Sequence, residues 1–144
     1  MQSLRTSHSI QLKGNLVSLD SPIIMGIMNL TPDSFYSESR ASSDVAFAMA
    51  EQMFNDGASI IDLGGQSSRP GADLLSTEEE LSRVLPIVEG LCSRFPDGAF
   101  SIDTFYSKVA KACVEAGAAM VNDISAGSMD DELLNTVANL NVPY

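Results

Sequence analysis

Four apolar segments of this 144-residue sequence end in, or contain, a polar residue that can bind a ligand or a metal. The segments are short enough to be buried strands, and their polar residues are Asn29, Asp62, Asp103 and Asn122. An asparagine carbonyl oxygen is a suitable ligand for Mg²⁺ shared with a phosphate. A carboxylate and an amide at neighbouring strand ends can read the donor and acceptor edge of a flat heterocycle. Each residue also fits a structural role, such as capping a turn or supporting a loop.

The second apolar segment leads into residues 64–71, GGQSSRPG, which combine three kinds of anion-binding group. Gly64 and Gly65 offer backbone N–H groups, Ser67 and Ser68 offer hydroxyls, and Arg69 offers a guanidinium. Together these groups can grip a diphosphate. A plain flexible loop is the alternative for the same composition.

Composition and charge argue against several function classes. The formal net charge of −11 disfavours nucleic acid as a partner, because a phosphate backbone requires a basic surface. His8 is the only histidine and lies in the N-terminal tail, which removes most nucleophile–histidine mechanisms. The spacing of Cys92 and Cys113 fits neither a metal site nor a disulfide framework, so we expect inert thiols in a reducing compartment. Without a signal core or a membrane-length apolar run, a cytoplasmic protein is expected.

Strand and helix patterns alternate along the chain and predict how these residues are positioned. Residues 8–19 predict a β-hairpin that turns at Gly14-Asn15. Helical spacing follows at residues 44–56, from Ser76 onward, at 106–116 and at 130–140. Such alternation requires a parallel sheet with helices outside it, either an open doubly wound sheet or part of an eight-stranded barrel. In both architectures the carboxyl ends of the strands carry the site. No G-x-G-x-x-G follows the first strand, which disfavours a Rossmann fold.

Local signals predict the helix boundaries. Asp44 is the expected N-cap of the first helix, and Ser76 with Glu79 has the spacing of a capping box. Pro86 should kink or break the second helix. The acidic run at 78–80 favours a helix N-terminus and indicates no other role. Helical spacing also predicts these inward-facing residues: Val45, Met49, Leu133 and Leu134.

Two long motifs closely resemble the dihydropteroate synthase family of folate biosynthesis. Residues 25–35, MGIMNLTPDSF, resemble its first signature, and residues 57–72, GASIIDLGGQSSRPGA, resemble its second. Residues 101–104 and 121–124 are similar to its next two strand ends. The resemblance runs from about Ile10 to the last residue. It implies a (β/α)8 TIM barrel, of which residues 1–144 would be the N-terminal half, four βα units preceded by a hairpin.

The resemblance implies a transferase that joins p-aminobenzoate to a 7,8-dihydropterin-6-ylmethyl diphosphate and releases diphosphate. Magnesium would assist the leaving group and would be bound by Asn29. The implied substrate contacts are Ser68 and Arg69 for the diphosphate, and Asp103 and Asn122 for the pterin edge. Phe35, Arg69 and Pro70 would take part in closure of the first two loops, which shapes the p-aminobenzoate pocket.

The sequence departs from the family pattern in residue type and in length. Gln66 stands where the family usually has Glu, and Ser68 where it usually has Thr. A full barrel takes roughly 250 residues, whereas this sequence ends at Tyr144, where the fifth strand should begin. We therefore expect the isolated chain to lack activity. We also expect it to pair with a second copy or with its missing half, since open strand edges and an uncovered apolar interior favour association.

Two other functions are compatible with the motifs. One is a pterin-binding methyltransferase domain, which would not need the loop sequences TPDSF and SSRP. The other is a non-catalytic pterin-binding paralogue or fragment. Catalysis that depends on p-aminobenzoate distinguishes both from a dihydropteroate synthase.

Overall fold

A computed structural model of the protein describes residues 7–30, 40–66 and 73–144, which form six strands and four helices. The strands are β1 (Ser9–Leu12), β2 (Asn15–Ser18), β3 (Ile24–Asn29), β4 (Ala58–Gly64), β5 (Ala99–Asp103) and β6 (Met120–Asn122). The helices are α1 (Arg40–Asn55), α2 (Thr77–Arg94), α3 (Ser107–Glu115) and α4 (Leu133–Leu140). Strands β3 to β6 form a parallel sheet in sequential order, as the βα alternation predicts. Each helix packs against the next along the chain.

The main core lies between the sheet and these helices. Its fully buried strand residues are Met28, Ile61, Leu63, Phe100, Ile102 and Val121. The opposite face of the sheet is also apolar along β3, but it is open to solvent there. Ile24 is 59% exposed and Ile27 is 66% exposed, although both belong to strand β3. This face is therefore one that a further layer of protein can cover.

The hairpin β1–β2 turns one residue earlier than predicted. Lys13 and Gly14 occupy the two central turn positions with φ of 50° and 81°, while Asn15 pairs with Leu12 in the ladder. A two-residue hairpin turn of this kind needs positive φ at both positions, and Gly14 suits the second of them. The side chain of Leu12 packs on Ile60 with other buried residues, so the hairpin covers the amino ends of the central strands.

Two helix starts differ from the predictions. Helix α1 begins at Arg40, so Asp44 lies inside the helix and is not its N-cap. Helix α4 begins at Leu133, because the Asp130 carboxylate accepts hydrogen bonds from the backbone N–H groups of Ser107 and Glu132 before the helix starts. Short acceptor side chains compete with helical hydrogen bonds in this way.

Three residues predicted to face inward are substantially exposed: Val45, Met49 and Leu134. In α1 the smaller Ala46 and Ala50 are fully buried instead, since small side chains allow a helix to approach the sheet closely. The prediction for Leu133 is confirmed.

Helix α2 begins with the predicted capping box. The backbone N–H of Glu79 donates to the Ser76 hydroxyl, and the Ser76 backbone N–H donates to the Glu79 carboxylate. The helix continues through Pro86 to Arg94 without the break that proline suggested. Cys113 is buried and Cys92 is partly buried, and both are free thiols. Burial raises the pKa of each thiol, that of Cys113 to about 12, which fits the predicted inert role.

Gly64 and Gly65, at the carboxyl end of β4, give a direct test of the packing between β4 and α2. A Cβ on Gly65 would lie 2.6 Å from Val84 Cγ1, whereas a Cβ on Gly64 meets nothing closer than 3.5 Å. We expect Gly65→Ala to lower the unfolding free energy by about 1–3 kcal/mol, and the control Gly64→Ala to change it by less than about 0.5 kcal/mol. Urea unfolding followed by circular dichroism measures both, and equal losses would contradict this packing.

Candidate functional site at the carboxyl ends of the strands

The strand register places the predicted polar residues in one row at the carboxyl end of the sheet. Asn29 pairs with Gly64, Gly64 with Asp103, and Asp103 with Asn122, so all four lie side by side on the same face. Gly64 leaves room within the row because it has no side chain. A Cβ placed there would be 3.5 Å from Asp103 Oδ2 and 3.9 Å from Asn29 Oδ1. Two side-chain oxygens, one from Asp103 and one from Asn29, therefore border one small open space.

A second row lies one layer deeper on the same face and contains Asp62 and Ser101. Asp62 is only 4% exposed, and its Oδ2 accepts a 2.9 Å hydrogen bond from Asn122 Nδ2. Because an ionised carboxylate only accepts hydrogen bonds, this contact fixes which end of the Asn122 amide faces inward. Asp62 Oδ1 and Ser101 Oγ are buried and have no hydrogen-bond partner within the described residues. The hydrogen bond shows that Asp62 supports the Asn122 side chain.

The carboxyl group of Asp103 is partly buried among other acids. Burial, followed by the nearby charges of Asp62 and Asp123, raises the pKa of Asp103 to about 6. A carboxylate whose ionised form is disfavoured in the free protein gains most from a ligand that donates hydrogen bonds to it. Asp103 can therefore accept hydrogen bonds from donor groups that reach the carboxyl end of β5.

The raised pKa of Asp103 predicts a pH dependence of folding stability. The ordinary pKa is 3.8 and the folded pKa is about 6, so the folded state binds more protons between these values. This group's contribution to the unfolding free energy then falls, by about 1–2 kcal/mol, as pH rises from 4 to 6. Urea unfolding of the wild type and of Asp103→Asn across this range isolates the effect as a difference. Parallel pH profiles of the two proteins would contradict it.

Asp123 follows the row directly but acts as a turn cap. Its carboxylate accepts hydrogen bonds from the N–H groups of Ser125 and Gly127, the Ser125 hydroxyl and the Tyr144 hydroxyl. Burial alone raises the pKa of Asp123, but these hydrogen bonds outweigh it and lower the pKa overall. These contacts give Asp123 a structural role in the turn that follows β6.

The structure brings together three predicted site residues, Asn29, Asp103 and Asn122. The others, Phe35, Ser68, Arg69 and Pro70, lie outside the described residues. In residues 7–30, 40–66 and 73–144, no three His, Cys, Asp or Glu side chains converge as a metal-binding group. Mg²⁺ commonly takes only one or two protein oxygens and completes its shell with water and substrate phosphate. The amide oxygen of Asn29, beside a carboxylate, fits that limited donor set.

One buried acid beside the site was not predicted from the sequence. Glu80 belongs to the acidic run at 78–80, for which the sequence predicts only a helix N-terminus, yet Glu80 is fully buried and accepts a hydrogen bond from Gln66. A signal was available, because Glu80 falls on the same helical face as Val84 and Val88, which are buried. Because Glu80 is polar, its spacing with these valines did not suggest that it is buried.

No helix within the described residues is long and apolar enough to cross a membrane.

Comparison with known proteins identifies the family. Residues 25–144 match the family described as "Pterin binding enzyme". A folic acid synthesis protein of Pneumocystis carinii is 51% identical over 120 residues, which cover 83% of this chain and 16% of that protein. The dihydropteroate synthase of Clostridium beijerinckii is 46% identical over 121 residues, which cover 83% of this chain and 45% of that enzyme.

Solved structures agree with these relatives. The dihydropteroate synthase of Xanthomonas albilineans with 4-aminobenzoic acid has a TM-score of 0.83 and 40% identity, covering 93% of this chain and 49% of that one. The Yersinia pestis enzyme in a sulfonamide drug complex has a TM-score of 0.82 and 38% identity, covering 94% and 48%. The chain spans about half the length of these solved relatives, and its four βα units have the predicted α/β barrel class. The family match extends over most of the sequence, and the chain therefore belongs to the pterin binding enzyme family.

Proposed function

We propose that this chain functions as part of a dihydropteroate synthase, joining p-aminobenzoate to a 7,8-dihydropterin-6-ylmethyl diphosphate with release of diphosphate. One structural observation carries the proposal. Asp103 and Asn122 stand next to each other at the strand ends, and buried Asp62 fixes the Asn122 amide from behind. The similarity to dihydropteroate synthases supports it independently.

The pterin ring suits this pair of side chains. A pterin edge presents N–H donors beside an acceptor, which matches a carboxylate next to an amide. Ionised Asp103 accepts the donors, and binding favours its ionised form at neutral pH. The Asn122 amide completes the recognition of the edge. Its Nδ2 donates a hydrogen bond to Asp62, which fixes the orientation of the amide.

The remaining parts of the site act on the diphosphate and on p-aminobenzoate. Negative charge develops on the departing diphosphate, so donors placed there stabilise the transition state. Ser68 and Arg69 are the proposed donors, and Asn29 is the proposed magnesium ligand. Bound magnesium would neutralise charge on the leaving group. Phe35 and Pro70 would border p-aminobenzoate, the compound present in one of the solved relatives.

We further propose that catalysis requires more protein than these 144 residues, supplied by the rest of a barrel or by a second copy. Two observations support this. The solved relatives are about twice as long, and the face of β3 opposite the helices exposes Ile24 and Ile27. In addition, the backbone N–H of Val121 donates to the Pro143 carbonyl over 3.0 Å, so the chain returns to the sheet edge beside β6. That edge is where another parallel strand can pair.

Diphosphate release tests the proposed function. The purified chain is given the dihydropterin diphosphate and magnesium, with and without p-aminobenzoate, alone and mixed with the complementary half of the Clostridium beijerinckii enzyme. We expect no release from the chain alone and p-aminobenzoate-dependent release from the mixture. Release from the chain alone would favour assembly of two copies. A mixture that forms a complex but releases no diphosphate would contradict the proposed function.

A further inference from the structure

A partly buried hydrogen-bonded cluster lies just beyond the end of β4, outside the row of Asn29, Gly64, Asp103 and Asn122. The Gln66 Oε1 accepts a 3.1 Å hydrogen bond from the backbone N–H of Leu75, and its Nε2 faces the Leu75 carbonyl at 3.4 Å. The second of these contacts is near the limit of a hydrogen bond. Since β4 ends at Gly64 and α2 begins at Thr77, the Gln66 side chain joins the two ends of the connection between them.

Glu80 holds this side chain in place from within α2. Its Oε2 accepts a 3.0 Å hydrogen bond from Gln66 Nε2, and the residue is fully buried. The Thr104 hydroxyl also acts on the Glu80 carboxyl group, although the other oxygen, Oε1, is buried and makes no hydrogen bond of regular geometry in the part of the chain that the structure describes. An acid kept in such a place costs free energy that an apolar residue would not. The capping box fixes the first turn of α2, and therefore where the Glu80 side chain begins.

Tyr106 also contacts the Leu75 carbonyl. Its hydroxyl donates a 2.7 Å hydrogen bond to Leu75 O, and its own backbone N–H donates to Thr104 Oγ1 over 3.1 Å. Leu75 is thus hydrogen-bonded to Gln66 and Tyr106, which follow the carboxyl ends of the adjacent strands β4 and β5. We call Gln66, Leu75, Glu80 and Tyr106 the Glu80 clamp.

The clamp adjoins the candidate site directly. Gln66 is two residues beyond Gly64, which lies between Asn29 and Asp103 in the row of the site. Thr104 and Tyr106 follow Asp103 within three residues. A displacement at the clamp would therefore reach the backbone that carries the site, over two or three peptide units.

We propose that Glu80 is a positioning residue, which acts through Gln66 to hold both ends of the β4–α2 connection in the arrangement that ligand binding at the strand ends needs. The part of this proposal that concerns ligand rests on the proposed function. The part that concerns the geometry of Gln66 and Leu75 does not.

The direction of hydrogen-bond donation makes the clamp testable. The Nε2 of Gln66 donates a hydrogen bond to Glu80, and its Oε1 accepts one from the Leu75 N–H. Because an amide does not titrate, it can make both bonds at any pH at which Glu80 accepts. With Gln66→Glu, two carboxyl groups would face each other at about the same spacing and would need a shared proton. The clamp would then form at low pH and open at high pH. Other groups that act on the Glu80 carboxyl, or feel its charge, are Arg83, Asp103, Thr104, Tyr106 and Cys113.

Amide hydrogen exchange at Leu75 reports the clamp, and it is measured in the full chain at pH 5 and pH 8 after correction for the intrinsic exchange rate. We expect Gln66→Glu to lose about tenfold in protection at pH 8 and to regain it at pH 5. The double variant Gln66→Glu/Glu80→Gln should restore protection at both pH values, because the amide and the carboxylate have exchanged places. Wild-type protection at pH 8 in Gln66→Glu, or failure of the double variant to restore it, would overturn the proposal.

A second variant separates positioning from general stability. Glu80→Leu keeps a buried side chain at this position but removes the acceptor for Gln66. We expect about a tenfold loss of Leu75 protection and of affinity for the dihydropterin diphosphate, with an unchanged or raised unfolding midpoint in urea. The conservative control Glu80→Gln should retain protection and affinity.

The outcomes distinguish this proposal from the proposed function. Ligand affinity that is equal in wild type and Glu80→Leu, despite lost Leu75 protection, would overturn the positioning role alone. A wild-type chain that binds no dihydropterin diphosphate but shows the predicted exchange pattern would count against the proposed function, while the clamp itself would be supported.

Discussion

Replacing Asp103 by Ala is expected to weaken binding of the dihydropterin diphosphate about 100-fold. The Asp103 carboxylate is the charged acceptor of the row, and its pKa of about 6 leaves it mainly ionised at pH 7.5. Hydrogen bonds to charged groups contribute roughly 1.5–3 kcal/mol, and 100-fold corresponds to about 2.7 kcal/mol. Titration calorimetry of the wild type and the variant at pH 7.5 measures the loss.

Two comparisons show whether the loss belongs to the site. Asp97→Ala removes an exposed carboxylate near the opposite end of β5 and should leave binding unchanged. Folding stability gives the second comparison. Because ionisation of Asp103 opposes folding above pH 6, Asp103→Ala should not lower the unfolding free energy at pH 7.5. A variant that binds like the wild type would show that Asp103 does not hold the ligand.

The second large effect is expected from Asn122→Asp, which changes an amide to a carboxylate with almost no change of shape. The new carboxylate would face Asp62 at about the present Nδ2–Oδ2 distance of 2.9 Å. Two carboxylates so close cannot both ionise cheaply, so the pKa of the pair rises. We expect a loss of about 1–3 kcal/mol in unfolding free energy at pH 7 and a roughly 100-fold loss of dihydropterin affinity.

The pH dependence of Asn122→Asp has a definite sign. The folded-state pKa of the acid pair lies above its unfolded value, so the lost stability should return as pH falls and one proton is shared. Urea unfolding at pH 5 and pH 7 measures the recovery. Asn135→Asp adds the same charge at an exposed position on α4 and serves as the control. Equal pH profiles for the two variants would contradict the Asp62–Asn122 contact.

The sheet and the row of site residues could be predicted from the sequence because both follow from local patterns. Apolar runs alternate with helical spacing, and short connections allow only a parallel sheet with all carboxyl ends at one edge. Asn29, Asp103 and Asn122 each close such a run, so their alignment required no tertiary information. The capping box at Ser76 is equally local.

Other features depend on contacts that linear spacing does not encode. The hydrogen bond from Asn122 to Asp62 crosses β5 between residues 60 positions apart, and only the three-dimensional register makes it visible. The predicted start of α1 is wrong. Asp44 is of a residue type that often caps helices, but α1 already begins at Arg40. Leu134 is exposed because the buried face of α4 runs through Leu133 and Val137.

Glu80 shows a different limit of sequence reasoning. Its spacing with Val84 and Val88 places it on the buried face of α2, but its type suggested a solvated helix start. Burial of an acid becomes interpretable only when its partner is seen. Here that partner is Gln66, which lies 14 residues away, before the helix begins.

The most direct test of the central claim, that Asp103 and Asn122 bind the pterin edge, is an NMR titration of the labelled chain with the dihydropterin diphosphate. The carbon signal of the Asp103 carboxyl group and the Nδ2 signal of Asn122 are followed from pH 4.5 to 8. We predict that the ligand lowers the pKa of Asp103 from its free value of about 6 and shifts the Asn122 signal, because ring N–H donors favour the ionised carboxylate. A bound ligand that leaves the pKa of Asp103 and the Asn122 signal unchanged would contradict the claim.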